Sequence, residues 1–292
     1  MRIGLIANSE NRDAMAAAQT LLPMLRQRRE CHVAELISEA SEPALREWRP
    51  DLLIALGGDG TILRTARFIV GLTVPVAGIN FGKLGYLAAF SMDQFQEHLE
   101  LILAGRAPIT ERLMLHGAIG PADGPAAAPR SAALPEQPLF ECVALNDIVL
   151  NAGWPFRMVE LTVQINAQDT TTFRGDGLIV STSSGSTGYN LSAGGPLISP
   201  DVNAMVITPI CAHSLSFRPV VVPDQAVIGL QPRRVNAGTT VSFDGQVVQP
   251  LREHQCVLVR RAAKPLRLVE NPALSHWRLL ADKLAWARSP QA

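Results

Sequence analysis

The chain has 292 residues, enough for two domains or one large one. Its 26 Lys and Arg balance 26 Asp and Glu, so no overall field gathers polyanions, which argues against a strongly basic nucleic-acid or membrane-surface binder. A hydrophobic share of 47% supplies a sizeable core and argues against global disorder.

In chain order, residues 2–7 (RIGLIA) predict a short buried strand, and Asn8-Ser9-Glu10 a helix start or turn. Residues 12–29, rich in Ala, Leu and Arg, predict a helix that Pro23 kinks or breaks. Residues 52–56 (LLIAL) predict a second buried strand ending at Gly57-Gly58, 61–70 a helix, and 74–79 a third buried strand. Phe95, Leu99, Ile102 and Leu103 lie on one helical face, so 92–104 predicts an amphipathic helix stopped by Gly105. This alternation predicts an α/β domain with a parallel sheet over residues 1–106.

The texture then changes. Short β-type segments recur at 140–150, 158–166, 169–174, 178–182, 204–208, 218–222, 238–243, 255–259 and 266–269, with one plausible helix near 186–192. They predict a β-rich second domain over 107–270. Residues 121–138 hold five prolines and six alanines and read as a mobile surface loop. Asn271 as N-cap, Pro272 at the first helical position and Leu274, Trp277 and Leu284 on one face predict a helix within 271–292 that packs back on the first domain.

Cys31, Cys142, Cys211 and Cys256 form no CxxC and no Cys/His pair at ligand spacing, so they read as buried thiols rather than a zinc site. The apolar run at the N-terminus is too short for a signal peptide, and none approaches the roughly 18 residues of a membrane span. A soluble, cytoplasmic protein is expected.

Glycine is unevenly spread: seven of the 22 fall in 57–85 and six in 174–195, which marks two specialised loops. Gly57-Gly58-Asp59-Gly60-Thr61, between an apolar strand and a helix, suits phosphate: glycines permit close approach and free N–H groups at the helix start attract anions. It is neither a Walker A loop nor GxGxxG, because Leu63 stands where the third glycine belongs. Asp59 within an anion loop repels phosphate unless it binds metal or handles a proton. Arg64 one turn on either neutralises phosphate or is a solvated helix charge. In GINFGKLGY (78–86), Asn80 and Gly82 suit a turn, and Tyr86 is either a core ring or an aromatic face for a base. The hydroxyl-rich stretch 174–196 makes sense where a loop wraps a polar ligand closely. Asn146-Asp147 is either a turn or an amide and acceptor for hydroxyls.

GGDGT, GINFGKLGY, ALND (144–147), DGLIVSTSSGSTGYNLSAGGP (176–196), ITPICAHSLSFRP (207–219) and DGQ (244–246), in this order, resemble the NAD kinase family. Diacylglycerol, sphingosine and 6-phosphofructo kinases carry similar GGDG loops, and the long 176–196 block is the specific one. The resemblance implies phosphorylation of the 2′-hydroxyl of NAD's adenosine ribose to give NADP. The donor is ATP, another triphosphate or polyphosphate, with a divalent metal, usually magnesium. It implies an α/β domain and a β-rich domain with the active site between them, assembled as a homodimer or homotetramer; the neutral charge and the lack of a long apolar run add the expectation of no nucleic-acid or membrane partner.

By motif position, Asp59 resembles the family's general base, in a phosphate loop of Gly57, Gly58, Gly60 and Thr61, with Arg64 on phosphate. Asn146 and Asp147 would hold NAD's ribose or base, Arg157 and Arg174 would lie near phosphate or substrate, and Asp176 would hold a polar edge of the dinucleotide. Thr187, Gly188, Tyr189, Asn190, Leu191 and Ser192 would wrap the adenine end, Tyr86 and Tyr189 would flank the base, and Gln246 would make a late contact. Ser183-Ser184 and Gly188 depart from the Pro-Thr and Ala of many relatives, and Phe81 and Lys83 vary within their block. A lipid kinase sharing the first loop and a catalytically silent NAD(P)-binding sensor are the competing classes.

Overall fold

A computed structural model describes residues 1–35, 42–82, 85–122 and 137–284. Most of the predicted Ala/Pro-rich loop, Lys83 and the last eight residues lie outside them. The chain divides into one unit of Met1–Glu111 with Leu266–Ala292 and a second of Arg112–Pro265.

In the first unit, β1 (Arg2–Ala7), β2 (His32–Glu35), β3 (Leu52–Leu56) and β4 (Pro75–Ile79) are joined by β18 (Leu266–Val269) and β5 (Ile109–Arg112). The sheet order is β2-β1-β3-β4-β18-β5, and the pairs from β2 through β18 are parallel. Every residue of β3 is buried, which is why an unbroken apolar run rather than an alternating one encodes it. Residues 266–269, expected in the β-rich half, pair with β4 instead. Four residues of β-type composition do not specify which sheet receives them.

Helix α1 (Arg12–Arg26) starts at Asn11, whose side chain accepts from the Asp13 and Ala14 amides, and buries Ala14, Ala18, Leu21 and Leu25. It runs through Pro23 rather than breaking there. The proline sits in the last turn, and burial of Leu21 and Leu25 on either side outweighs the backbone hydrogen bond it removes. Two short elements carry no periodic signal and were not predicted: β2 and α2 (Glu42–Trp48). The single helix expected over 92–104 is two, α4 (Met92–Glu97) and α5 (Leu99–Leu103), divided at His98. Ser91 and Gln94 form a capping box at the start, and Phe95, Leu99 and Ile102 remain on the buried face.

Asn271 does not cap a helix beginning at Pro272; α7 spans His276–Leu284. The Asn271 side chain accepts from the Ala273 amide and donates to Ala89 O and Gln94 Oε1. This ties the chain's return to the first unit. Leu279 and Leu280 face inward, whereas Trp277 is exposed.

The second unit holds two six-stranded sheets whose strand pairs are all antiparallel. One is ordered β10 (Gln168–Gly175), β9 (Val159–Ile165), β14 (Ile228–Arg234), β17 (Gln255–Arg261), β6 (Leu115–Pro121), β7 (Phe140–Ala144). The other is β13 (Val220–Pro223), β12 (Ala204–Ile210), β11 (Gly177–Thr182), β8 (Asp147–Asn151), β15 (Thr240–Phe243), β16 (Val247–Pro250). A single apolar core takes Leu115, Leu161 and Phe173 from the first sheet and Ile148, Val180 and Phe243 from the second. At Gly117 an added Cβ would lie 2.6 Å from Ile148 and 2.7 Å from Phe243, so only glycine admits this approach of the sheets.

The run expected over 140–150 is broken. β7 belongs to one sheet and β8 to the other, so Leu145-Asn146 is the corner where the chain changes sheet. β5, β6, β14 and β16 were not predicted. No helix among the described residues is long and apolar enough to cross a membrane.

Candidate functional site

The first glycine loop lies between β3 and α3 (Asp59–Phe68). Gly57 adopts φ +148° and donates its amide to Ile79 O, and Gly58 is the N-cap, so Asp59 occupies the first turn of the helix. An acid there is favoured by the exposed amides of the helix start. Its carboxylate does not point freely outward. Oδ2 accepts from the Tyr86 amide at 2.9 Å, and Oδ1 accepts from those of Leu87 (3.0 Å) and Ala88 (2.9 Å).

Gly85 makes this possible, since a Cβ there would sit 1.8 Å from Asp59 Oδ1. The two glycine clusters of 57–85 are thus halves of one arrangement: the first supplies the carboxylate, the second the amides that hold it. Thr61 is buried, Gly60 is exposed and Arg64 half-buried one turn on.

Tyr86 is partly a core ring. Its phenol oxygen is buried with no hydrogen-bond partner among the described residues, and Lys283 Nζ lies 5.4 Å from the ring centroid. Burial, and then the nearby charge of Asp59, push its hydroxyl above the usual tyrosine range.

In the second unit a pocket of about 320 Å³ is lined by Asn146, Asp147, Val149, Tyr189, Ser242, Asp244 and Gly245. That is the size of a base or sugar site rather than room for a whole dinucleotide. Asn146 and Asp147 reach it because the chain turns from β7 to β8 there, and Tyr189 opens α6 (Tyr189–Ser192).

The turn leaves three successive amides without strand partners, and Asp244 takes all three. Oδ2 accepts from Leu145 (3.0 Å), and Oδ1 accepts from Asn146 (2.7 Å) and Asp147 (3.2 Å). Asp244 itself sits at φ 52° and donates its amide to Asp147 O at 2.9 Å. Burial first, and then the charge of Asp244, push the Asp147 carboxyl up to about 7.

The hydroxyl-rich loop after β11 spends most of its polar groups internally. Thr182 Oγ1 donates to Leu145 O and accepts from Gly185 N; Ser181 Oγ donates to Asn146 O. Ser186 holds Ile198 through both its hydroxyl functions, and Thr187 donates to Ser184 O. Asn190, expected to wrap the ligand, is fully buried. Its amide donates to Ser186 O and Pro196 O and its oxygen accepts from Thr208, so it braces the loop. Of residues 187–192, Tyr189 alone lines the pocket; Gly188 and Leu191 are half-buried and Ser192 is exposed.

Three further expected contacts lie elsewhere. Arg174 and Asp176 precede β11 and Arg157 follows β8, at the Gly177–Asn151 end of that strand pair, whereas the pocket sits at its Ser181–Asp147 end. Four residues of strand separate the ends by about 13 Å. Arg174 is also engaged, with Nε and Nη2 both 2.7 Å from Glu160 Oε2. Gln246 is exposed on the β15–β16 turn beside Gly245. Asp244 is the residue that motif reading passed over. The only sequence signal for it was the DGQ block, which directs attention to its polar end rather than to the acid.

Family models describe this organisation. Residues 40–107 match the ATP-NAD kinase N-terminal domain and residues 145–271 the ATP-NAD kinase C-terminal domain. The chain is 35% identical over 293 residues to the NAD kinase of Syntrophotalea carbinolica, covering 98% of each chain. It is 37% identical over 300 residues to that of Moorella thermoacetica, covering 99% of this chain and 91% of the relative. Among solved structures, yeast NADH kinase complexed with NADH superposes with a TM-score of 0.86 at 22% identity, covering 100% of this chain and 89% of that one. An NAD kinase from Archaeoglobus fulgidus in complex with ATP gives 0.74 at 23% identity, covering 98% and 99%. These two establish the fold: an N-terminal α/β domain and a β-rich domain of antiparallel sheets. With both halves matched by family models and relatives aligned over nearly the full length, the chain belongs to the ATP-NAD kinase family.

Proposed function

We propose that this chain transfers the terminal phosphoryl group of ATP to the 2′-hydroxyl of the adenosine ribose of NAD, giving NADP and ADP. The observation that carries the chemistry is the Asp59 carboxylate, held at a helix start by three amides. A bond forms between the ribose 2′-oxygen and the terminal phosphorus while the bridging bond to the β-phosphate breaks, and the hydroxyl proton passes to Asp59. An ordinary aspartate, with a pKa of about 3.9, is a weak base toward a sugar hydroxyl. Phosphoryl transfer, however, proceeds through a loose transition state in which that proton leaves late. Asp59 therefore orients the hydroxyl and accepts its proton late, and the amides that pin it make that orientation rigid.

Magnesium is expected to enter with the phosphates of ATP. No three His, Cys, Asp or Glu side chains converge on a metal site among the described residues. Such an ion is commonly held by one or two carboxylates plus substrate phosphates. Asp59 Oδ2 accepts one amide hydrogen bond, from Tyr86, and would be the carboxylate oxygen available to such an ion. When bound, the metal would supply charge neutralisation on the transferring group.

Asn146, Asp147 and Tyr189 would hold part of the dinucleotide, and Arg64 would meet phosphate. Arg157, Arg174 and Asp176 would act from the other end of β11. Homodimer or homotetramer assembly belongs to the same reading: Trp154, Phe156 and Met158, beside Arg157, are exposed and supply apolar area for contact with a second copy. Light scattering tests it. All four cysteines are free thiols, Cys31 and Cys256 buried as expected but Cys142 half-buried and Cys211 exposed, and they support a reducing, cytoplasmic setting.

The decisive assay incubates the protein with NAD and magnesium, and with ATP, other triphosphates or polyphosphate in parallel. NADP formation is expected with ATP. Tight NADP binding without formation would identify a silent sensor, and phosphorylation of diacylglycerol in place of NAD a lipid kinase.

A further inference from the structure

We propose that Asp244 is the positioning residue of the nucleotide pocket, its carboxylate holding the Leu145–Asp147 corner so that Asn146 and Asp147 face the ligand. The inference rests on the reading of that pocket as part of the NAD site.

Its geometry is specific. The chain passes from one sheet to the other at 145–146, so the amides of 145, 146 and 147 all need acceptors, and one side chain from the β15–β16 turn, 97 to 99 positions away, satisfies them. The contact is reciprocated by the Asp244 amide on Asp147 O. The hydroxyls of Ser181 and Thr182 hold the carbonyls of Asn146 and Leu145 from the opposite side. The backbone of the pair is therefore fixed on both edges, leaving its side chains for the pocket.

Charge adds a second consequence. Asp147 and Asp244 are 6% and 9% exposed, and both line the pocket. Two charged acids facing an anionic dinucleotide would repel it. Asp244 has three amides to stabilise its charge, so the neutral form falls to Asp147, which then donates a hydrogen bond to the ligand. Besides Asp244, the titratable or hydroxyl-bearing side chains that line the pocket with Asp147 are Tyr189 from α6 and Ser242 from β15; no cation lines it among the described residues. NAD affinity accordingly falls as pH rises through about 7.

The test measures kcat and the KM for NAD of the full-length protein between pH 5.5 and 9, for wild type and Asp244→Asn, on the order of a dozen points each. An asparagine offers one oxygen to three amides and no charge. KM is expected to rise about tenfold or more at pH 7.5 with a much smaller change in kcat, and the KM inflexion to move to lower pH. The double variant with Asp147→Asn should show no inflexion. If Asp244→Asn does not fold, as judged by circular dichroism, Asp244→Glu replaces it. That variant keeps the charge and displaces the acceptor, so KM should rise with the inflexion in place. An active wild type whose KM shows no inflexion, or a folded variant with unchanged KM, overturns the inference while leaving the kinase reading intact. A wild type that makes no NADP overturns the reading itself.

Discussion

Asp59 in the first unit and Asp244 in the second are held in the same way, each carboxylate taking three consecutive backbone amides. Their settings differ. Asp59 is half-buried at the start of a helix, where solvent and the helix amides share its charge. Asp244 is buried at a sheet corner beside a second acid, Asp147, which burial first, and then the charge of Asp244, drive up to about 7. In the proposed function, the same amide arrangement presents a reactive carboxylate in one unit and orders a binding surface in the other. What decides between the two is access to water and the nearest titratable neighbour, not the carboxylate itself.

The largest effect is expected at Asp59. Asp59→Asn keeps an oxygen for two amides but removes the proton acceptor, so turnover should drop about 10²- to 10⁴-fold with NAD binding retained. Steady-state kinetics with isothermal titration of NAD decide it, and near-wild-type turnover would remove Asp59 as the base. Gly85→Ala leaves the carboxylate in place chemically but drives a methyl group into it. Displacement by about 1 Å predicts a loss of the order of 10² in kcat, measured in the same assay. Full activity would show that the amide hold on Asp59 is dispensable.

In the second unit the readout is stability. The carboxyl of Asp147 is raised by folding, so its contribution is fully present below pH 4 and is lost as pH rises through about 7. Urea unfolding of wild type and Asp147→Asn should therefore diverge between these limits, the wild type losing up to about 4 kcal/mol relative to the variant. Parallel curves would mean that Asp147 is charged and solvated. The smallest effect is expected outside both arrangements. The Arg174–Glu160 pair is largely exposed on the arginine side, and Arg174→Ala should change unfolding free energy by less than about 1 kcal/mol in the same experiment. A larger loss would make that strand pair structurally central.

Much of the fold was legible. The buried strands of the first unit are apolar runs broken by glycine, and the alternation of strand and helix follows from them. Helix α1 shows where such reading stops, because Pro23 is a breaker by propensity and a tolerated residue in context. Asn190 shows the same limit within the site. As a polar residue in a loop that resembles a ligand clasp it reads as a contact, yet it is consumed by Ser186, Pro196 and Thr208. Arg157, Arg174 and Asp176 share a motif neighbourhood with the pocket residues but lie at the other end of a strand, a distance that spacing in sequence does not express.

By itself the amino-acid sequence determined the division into an α/β and a β-rich half, the two glycine loops and, through ordered motifs, the family. These depend on local periodicity and on residue types that few other roles require. Only the tertiary structure decided that Gly85 exists to admit Asp59, that residues 266–269 return to the first sheet, and that Asp244 holds the corner carrying Asn146 and Asp147. Each of these joins groups far apart in the chain, and hydrogen bonds, exclusion of a Cβ and the effect of one buried charge on another depend on distance in space alone.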